Sequence, residues 1–170
     1  MFGQPGKKLH FMGGEFGQWN EWNYESSLDW HLLEWAPHQG VQKWVQDLNH
    51  LYRNEPALYE EDFSYRGFEW IECGDWESSV LTWLRKGHDW ENDILVVCNF
   101  TPVQRDQYIV GVPHGGCWRE IMNSDAKEYN GEGRGNCGRV YTDNFGWNGR
   151  AHSLRLTLPP LSVLFLKREK

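Results

Sequence analysis

Two groups of side chains in this 170-residue sequence have the type and spacing to do chemistry: carboxylates near its start and an excess of tryptophan. Glu15 and Glu21 bracket the stretch Glu15-Phe16-Gly17-Gln18-Trp19-Asn20-Glu21-Trp22-Asn23, which has neither helical nor strand period and reads as a long polar-aromatic loop. Two carboxyl groups about 5 Å apart are what a retaining glycosidic mechanism needs, one raised in pKa to donate a proton and one ionised to attack. No second carboxylate on a neighbouring strand end accompanies this loop, so spacing alone does not make Glu15 and Glu21 a catalytic pair. Glu15 is equally suited to capping a helix or holding the loop through backbone N–H groups. The eleven tryptophans offer rigid flat anchors of the kind binding surfaces use, against the alternative that most of them fill a core.

Other chemistries find little support. The seven histidines show no H-x-x-x-H or H-E-x-x-H spacing, so no metal is expected, and nothing calls for a cofactor. Gly133-Arg134-Gly135-Asn136-Cys137-Gly138 matches G-x-G-x-x-G but lacks the strand before it, the helix after it and the acidic residue downstream, so it reads as a flexible loop between strands. Cys73, Cys98, Cys117 and Cys137 form no C-x-x-C pair and are expected to be free, mostly buried thiols. A formal charge of −7 with no block of Lys or Arg argues against nucleic acid or an anionic membrane as partner. No apolar run reaches the ~20 residues that span a bilayer, and the start lacks a signal-peptide core, so a cytoplasmic chain is expected. The sequon Asn99-Phe100-Thr101 is accordingly read as coincidental.

These residues must be positioned by elements of two kinds. Lys7-Lys8-Leu9-His10-Phe11-Met12, stopping at Gly13-Gly14, reads as a buried strand over 7–12. Val41, Trp44, Val45, Leu48, Leu51 and Tyr52 make one stripe of an amphipathic helix that begins near Gln39 and ends at Asn54-Glu55-Pro56. Past a polar stretch the pattern changes to short β-type runs over Phe68–Cys73, Ser79–Arg85, Asp93–Phe100, Asp106–Val110, Cys117–Asn123, Arg139–Thr142, Ser153–Leu158 and Ser162–Lys167. That spacing predicts an antiparallel sandwich, with turns at Gly115-Gly116 and Asn148-Gly149. The boundary between a first part, 1–62, and an all-β second part, 63–170, is placed near residue 62.

The residues also carry a family resemblance. Pro5-Gly6-Lys7-Lys8-Leu9, Phe11-Met12-Gly13-Gly14-Glu15-Phe16-Gly17-Gln18, Glu21-Trp22-Asn23 and Ser27-Leu28-Asp29-Trp30-His31-Leu32-Leu33 resemble the bacterial 1,4-α-glucan (glycogen) branching enzymes of the α-amylase superfamily. The likeness continues through Gly67-Phe68-Glu69-Trp70, Asn99-Phe100-Thr101-Pro102, Trp118 to Asp125 and Leu154 to Leu161, so it covers essentially the whole chain. It implies a mainly β fold: a C-terminal antiparallel β-sandwich preceded by the last strand, loop and helix of a truncated (β/α)8 barrel. Residues 7–12 would be the eighth barrel strand, and 15–23 would line a glucan groove.

The family's catalytic carboxylates lie on earlier barrel strands, so no residue here is assigned a catalytic role and the fragment alone is expected to be inactive. The resemblance implies instead a part in glycogen biosynthesis through glucan binding and barrel support. Glu15, Gln18 and Trp22 are the candidates on the groove side, and Glu34, Trp35 and Trp70 on the surface. The alternation in Phe68-Glu69-Trp70-Ile71 leaves open whether Trp70 faces ligand or core. The implied partners are α-glucans (glycogen, amylose, amylopectin) and the absent barrel and N-terminal domains of a parent enzyme. Without those domains, residues 1–40 are expected to be disordered, rearranged or engaged in self-association. Two other readings stay open: a purely structural sandwich in which Trp76, Trp83, Trp90 and Trp118 are packed, and a piece of another α-amylase-family hydrolase.

Overall fold

The computed structural model describes residues 1–169. Its spine is helix α1 (Ala36–Asn54), followed by eight antiparallel strands: β1 (Phe68–Glu72), β2 (Val80–Arg85), β3 (Ile94–Asn99), β4 (Arg105–Val112), β5 (Cys117–Asn123), β6 (Arg139–Tyr141), β7 (His152–Leu158) and β8 (Ser162–Arg168). Every expected β run in the second part is a strand, shifted by a few residues at its ends. Six strands make one sheet in the order β1-β2-β3-β8-β5-β6, and β4 pairs with β7 in a second.

Strict alternation in the central strands builds two cores. In β3, Leu95 and Val97 join Val80, Leu84, Val110, Val112, Trp118, Leu154, Leu156, Leu164 and Leu166 between the sheets. Ile94, Val96 and Cys98 point the other way and join Trp83, Met122 and Phe165 under α1. A strand buried on both faces reads as a continuous apolar run, which is how Ile94–Cys98 appears in the sequence. The helix stripe lands as expected: Leu48 is buried in this second core, with Trp44, Leu51 and Tyr52 packed against it. Gly40 lets the helix approach closely, since a Cβ there would sit 2.3 Å from the Tyr129 carbonyl oxygen. The helix starts at Ala36, three residues before the expected Gln39, because Pro37 in its first turn forfeits only an N–H that has no helical partner there.

Three expectations are corrected. Residues 7–12 form no strand, and Leu9 is 80% exposed with Phe11 and Met12 also exposed. A strand needs ladder partners for its backbone groups, and neither sheet extends to this segment. The first residues have firm anchors: Phe2 is buried, Gly3 accepts from Trp83 Nε1 at 2.7 Å, and Gly6 N–H donates to the Asp62 carbonyl at 3.0 Å. Of the cysteines only Cys98 is buried, and burial pushes its thiol up to about 12; Cys117 is partly covered, while Cys73 and Cys137 are exposed on turns. Among the tryptophans offered as packed, Trp83 and Trp118 are core, but Trp76 and Trp90 lie outside the strands and are exposed, Trp76 in a turn and Trp90 in a 3-10 turn where its ring is covered on one side by His114 and Arg168.

One buried carboxyl gives the fold a pH dependence. Asp93 is almost fully buried at the start of β3, its Oδ1 has no hydrogen-bond partner, and burial raises its pKa to about 6. The folded state then holds this proton more tightly than the unfolded chain, so stability is fully present below the ordinary carboxylate range and is lost as pH rises through about 6. Asp93→Asn is expected to stabilise the chain relative to wild type by about 2–3 kcal/mol more at pH 7.5 than at pH 4. Urea unfolding at the two pH values reads this; a difference independent of pH would contradict it.

Candidate functional site

The surface before α1 is assembled from short turns tied together by side chains. Gly13-Gly14 turns the chain into the 3-10 turn Gly14–Phe16, and the Gly13 carbonyl accepts from Phe16 N and Gln18 N. Phe16 is fully buried and packs on Trp30, with ring centroids 5.1 Å apart, while its carbonyl meets His38 Nδ1 at 2.8 Å. Gln18 joins this loop to the next turn: its Oε1 accepts from Asp29 N at 2.9 Å and its Nε2 donates to the Asn20 carbonyl at 3.0 Å. Asn20 Nδ2 closes the link on Asp29 Oδ2 at 2.8 Å. The amide of Gln18 is thus engaged in positioning the loop, and Glu15 beside it is half-buried.

Trp22 projects from this loop with its ring edge-on to Phe11, centroids 5.5 Å apart. The 3-10 turn Trp30–Glu34 leaves Glu34 exposed and delivers Trp35, 63% exposed, to the residue preceding α1. There Trp35 meets a residue that sequence reasoning passed over. Trp19, 79% exposed, lines with Trp35, Gly17, Pro37, His38 and Val41 an apolar cleft of about 350 Å³. Its signal was present in the spacing Trp19-Asn20-Glu21-Trp22, two indoles in the loop already marked as a site.

Trp70 stands apart, on β1 at the outer edge of the six-stranded sheet. Ile71 turns into the core between the sheets, and Trp70 shares the opposite face with Phe68 and Trp83, whose rings meet it edge-on at 4.9 and 5.8 Å. At the sheet edge this leaves the indole 45% exposed. The structure therefore brings Glu15, Gln18, Glu34 and Trp35 into one tied assembly of turns, places Trp22 on the same loop, and sets Trp70 elsewhere.

The chemical capacity of this surface is recognition. Flat indoles offer faces to the C–H side of a sugar ring, and neighbouring carboxylates and amides match its hydroxyl edge. Among the described residues no group of three or more His, Cys, Asp or Glu side chains is placed to hold a metal ion, and no helix is long and apolar enough to cross a membrane.

The alpha amylase C-terminal all-beta domain model matches residues 70–169. The chain is 62% identical over 169 residues to a 1,4-alpha-glucan branching enzyme of Aquifex aeolicus, covering 99% of this chain and 27% of that protein. It is 51% identical over 170 residues to the corresponding enzyme of Thermosynechococcus vestitus, covering 100% of this chain and 22% of that protein. Among solved structures, an alpha-amylase from H. orenii superimposes with a TM-score of 0.47 at 19% identity, over 76% of this chain and 20% of that one. The chain spans about a quarter of the length of the curated relatives it matches, and it belongs to the alpha amylase C-terminal all-beta domain family.

Proposed function

We propose that this chain is the C-terminal portion of a 1,4-α-glucan branching enzyme, whose intact form transfers α-1,4-glucan segments to a 6-hydroxyl during glycogen biosynthesis. The observation that carries this is the 62% identity, over nearly the whole chain, to an enzyme of that name. Residues 1–62 are the end of the catalytic barrel and 63–170 its accessory domain. The chain contributes no catalytic carboxylate. It supports the barrel and holds glucan in the cytoplasm, through Glu15 and Trp22 on the groove side and through Glu34, Trp35 and Trp70 on the surface, with Trp19 completing the Trp35 cleft. Gln18 acts by positioning the loop that carries Glu15 and Trp22.

The test is mobility of the chain in native gels cast with and without glycogen. Retardation is expected for wild type, with the apparent affinity reduced about tenfold in Trp35→Ala, the effect of losing an anchor worth ~1.4 kcal/mol. Trp19→Ala and Trp70→Ala are expected to act in the same direction. All four proteins migrating alike would overturn the surface assignment.

A further inference from the structure

A second polar-aromatic cleft lies on the layer of the molecule that α1 does not touch. About 560 Å³ in volume, within the range of ligand sites, it opens between β4, the turn from β1 to β2 and the hairpin at 147–150. Glu72, Asp75, Arg105, Gln107, Tyr108 and Trp147 line it. The hairpin is a two-residue turn at Asn148-Gly149, both with positive φ, closed by reciprocal bonds between Trp147 and Arg150. It lies directly on β4, because Gly111 has no side chain to hold it off: a Cβ there would be 2.0 Å from the Trp147 carbonyl oxygen.

The lining is organised in advance. Asn148 accepts from Gly111 N at 3.0 Å through Oδ1 and donates to Glu72 Oε2 at 2.8 Å. Tyr108 donates to Asp75 Oδ2 at 2.7 Å. The β4–β7 register shifts between Arg105 and Tyr108, and within this bulge Gln107 takes a φ of 56°, a conformation costly for a side chain with a Cβ. Arg105 Nε is buried in the structure without a hydrogen-bond partner. Trp147 remains 43% exposed, with Phe145 tilted beside it at 6.1 Å.

We propose that this cleft is a glucan subsite separate from the surface before α1. A glucose ring stacks its C–H face on Trp147, while Glu72, Asp75 and Gln107 meet its hydroxyls. Carboxylates outnumber the one guanidinium in the lining, which disfavours an anionic ligand, and the polar walls disfavour a lipid. That the sugar is an α-glucan rests on the proposed function; the site itself rests on the cleft. α1 and Phe2 pack on the other face of the six-stranded sheet and leave the cleft open.

The experiment is a titration of the whole chain, ¹⁵N-labelled at its indoles, with maltoheptaose. Trp147→Phe assigns the Trp147 resonance, and Trp147→Ala, checked for an unchanged Tm, is read in parallel. A saturable shift of the Trp147 indole in the wild type is the expected result, with the backbone amide of Gly111, ¹⁵N-labelled in a second pair of samples, reporting an affinity about tenfold weaker in Trp147→Ala. The same shift with Trp35 and Trp70 silent supports the cleft and overturns the surface assignment above. A silent Trp147 while Trp35 or Trp70 shifts overturns the cleft alone, and silence at all three overturns both.

Discussion

Arg85→Met is expected to destabilise the chain by about 3–5 kcal/mol, the cost of removing one partner of a buried, hydrogen-bonded ion pair. Arg85 is fully buried, and its guanidinium reaches the Asp62 carboxylate at 2.6 Å and the carbonyls of Gly67, Gln4 and Leu58 at 3.1, 2.9 and 3.1 Å. Asp62 also accepts from Tyr52 at 2.9 Å and lies 3.6 Å from Lys8, whose pKa is lowered by burial despite that carboxylate. One side chain on β2 therefore fastens the first residues, the turn after α1 and the start of β1 to the sheet. Met fills much the same space, so the loss comes from the Asp62 carboxylate, left with Lys8 and Tyr52 alone, and from the abandoned carbonyls. The double variant Arg85→Met/Asp62→Leu removes the buried carboxylate as well and is expected to recover part of the loss, the carbonyls still lacking their donor and Lys8 and Tyr52 their partner. Urea unfolding measures both, and a loss below ~1 kcal/mol for Arg85→Met would place the pair among weak surface bridges.

This network shows what the sequence could and could not convey. Alternation and turn residues located all eight strands, because in Ile94–Asn99 or Ser162–Arg168 the local pattern and the burial agree. The helix stripe was legible for the same reason. Arg85 looked like the polar end of a strand; nothing local reveals that three distant carbonyls and a carboxylate converge on it. Residues 7–12 misled in the opposite sense, since an apolar run signals a strand only if partners exist to complete its ladder. In the candidate site, Trp22 and Trp35 were legible by type and by resemblance. Trp19 became a candidate only when folding set it beside Trp35 in one cleft.

The exposed run Leu9, Phe11 and Met12 leads to the second large effect. If these residues are an eighth barrel strand awaiting neighbours, they are dispensable in the chain alone and essential once a barrel is present. Leu9→Asp and Phe11→Asp are thus expected to leave the Tm of the chain unchanged, since substitutions away from buried features rarely exceed ~0.5 kcal/mol. In a joined protein the same changes bury an unpaired charge and prevent barrel closure.

The most direct measurement is the number of new α-1,6 linkages made from amylose by a chimera in which this chain replaces the matching quarter of the Aquifex aeolicus enzyme. Branching within about tenfold of that enzyme, a difference of ~1.4 kcal/mol in barrier, is the predicted result, with the Leu9→Asp chimera inactive. A folded chimera that cuts amylose without adding α-1,6 linkages, or one indifferent to Leu9→Asp, would contradict it.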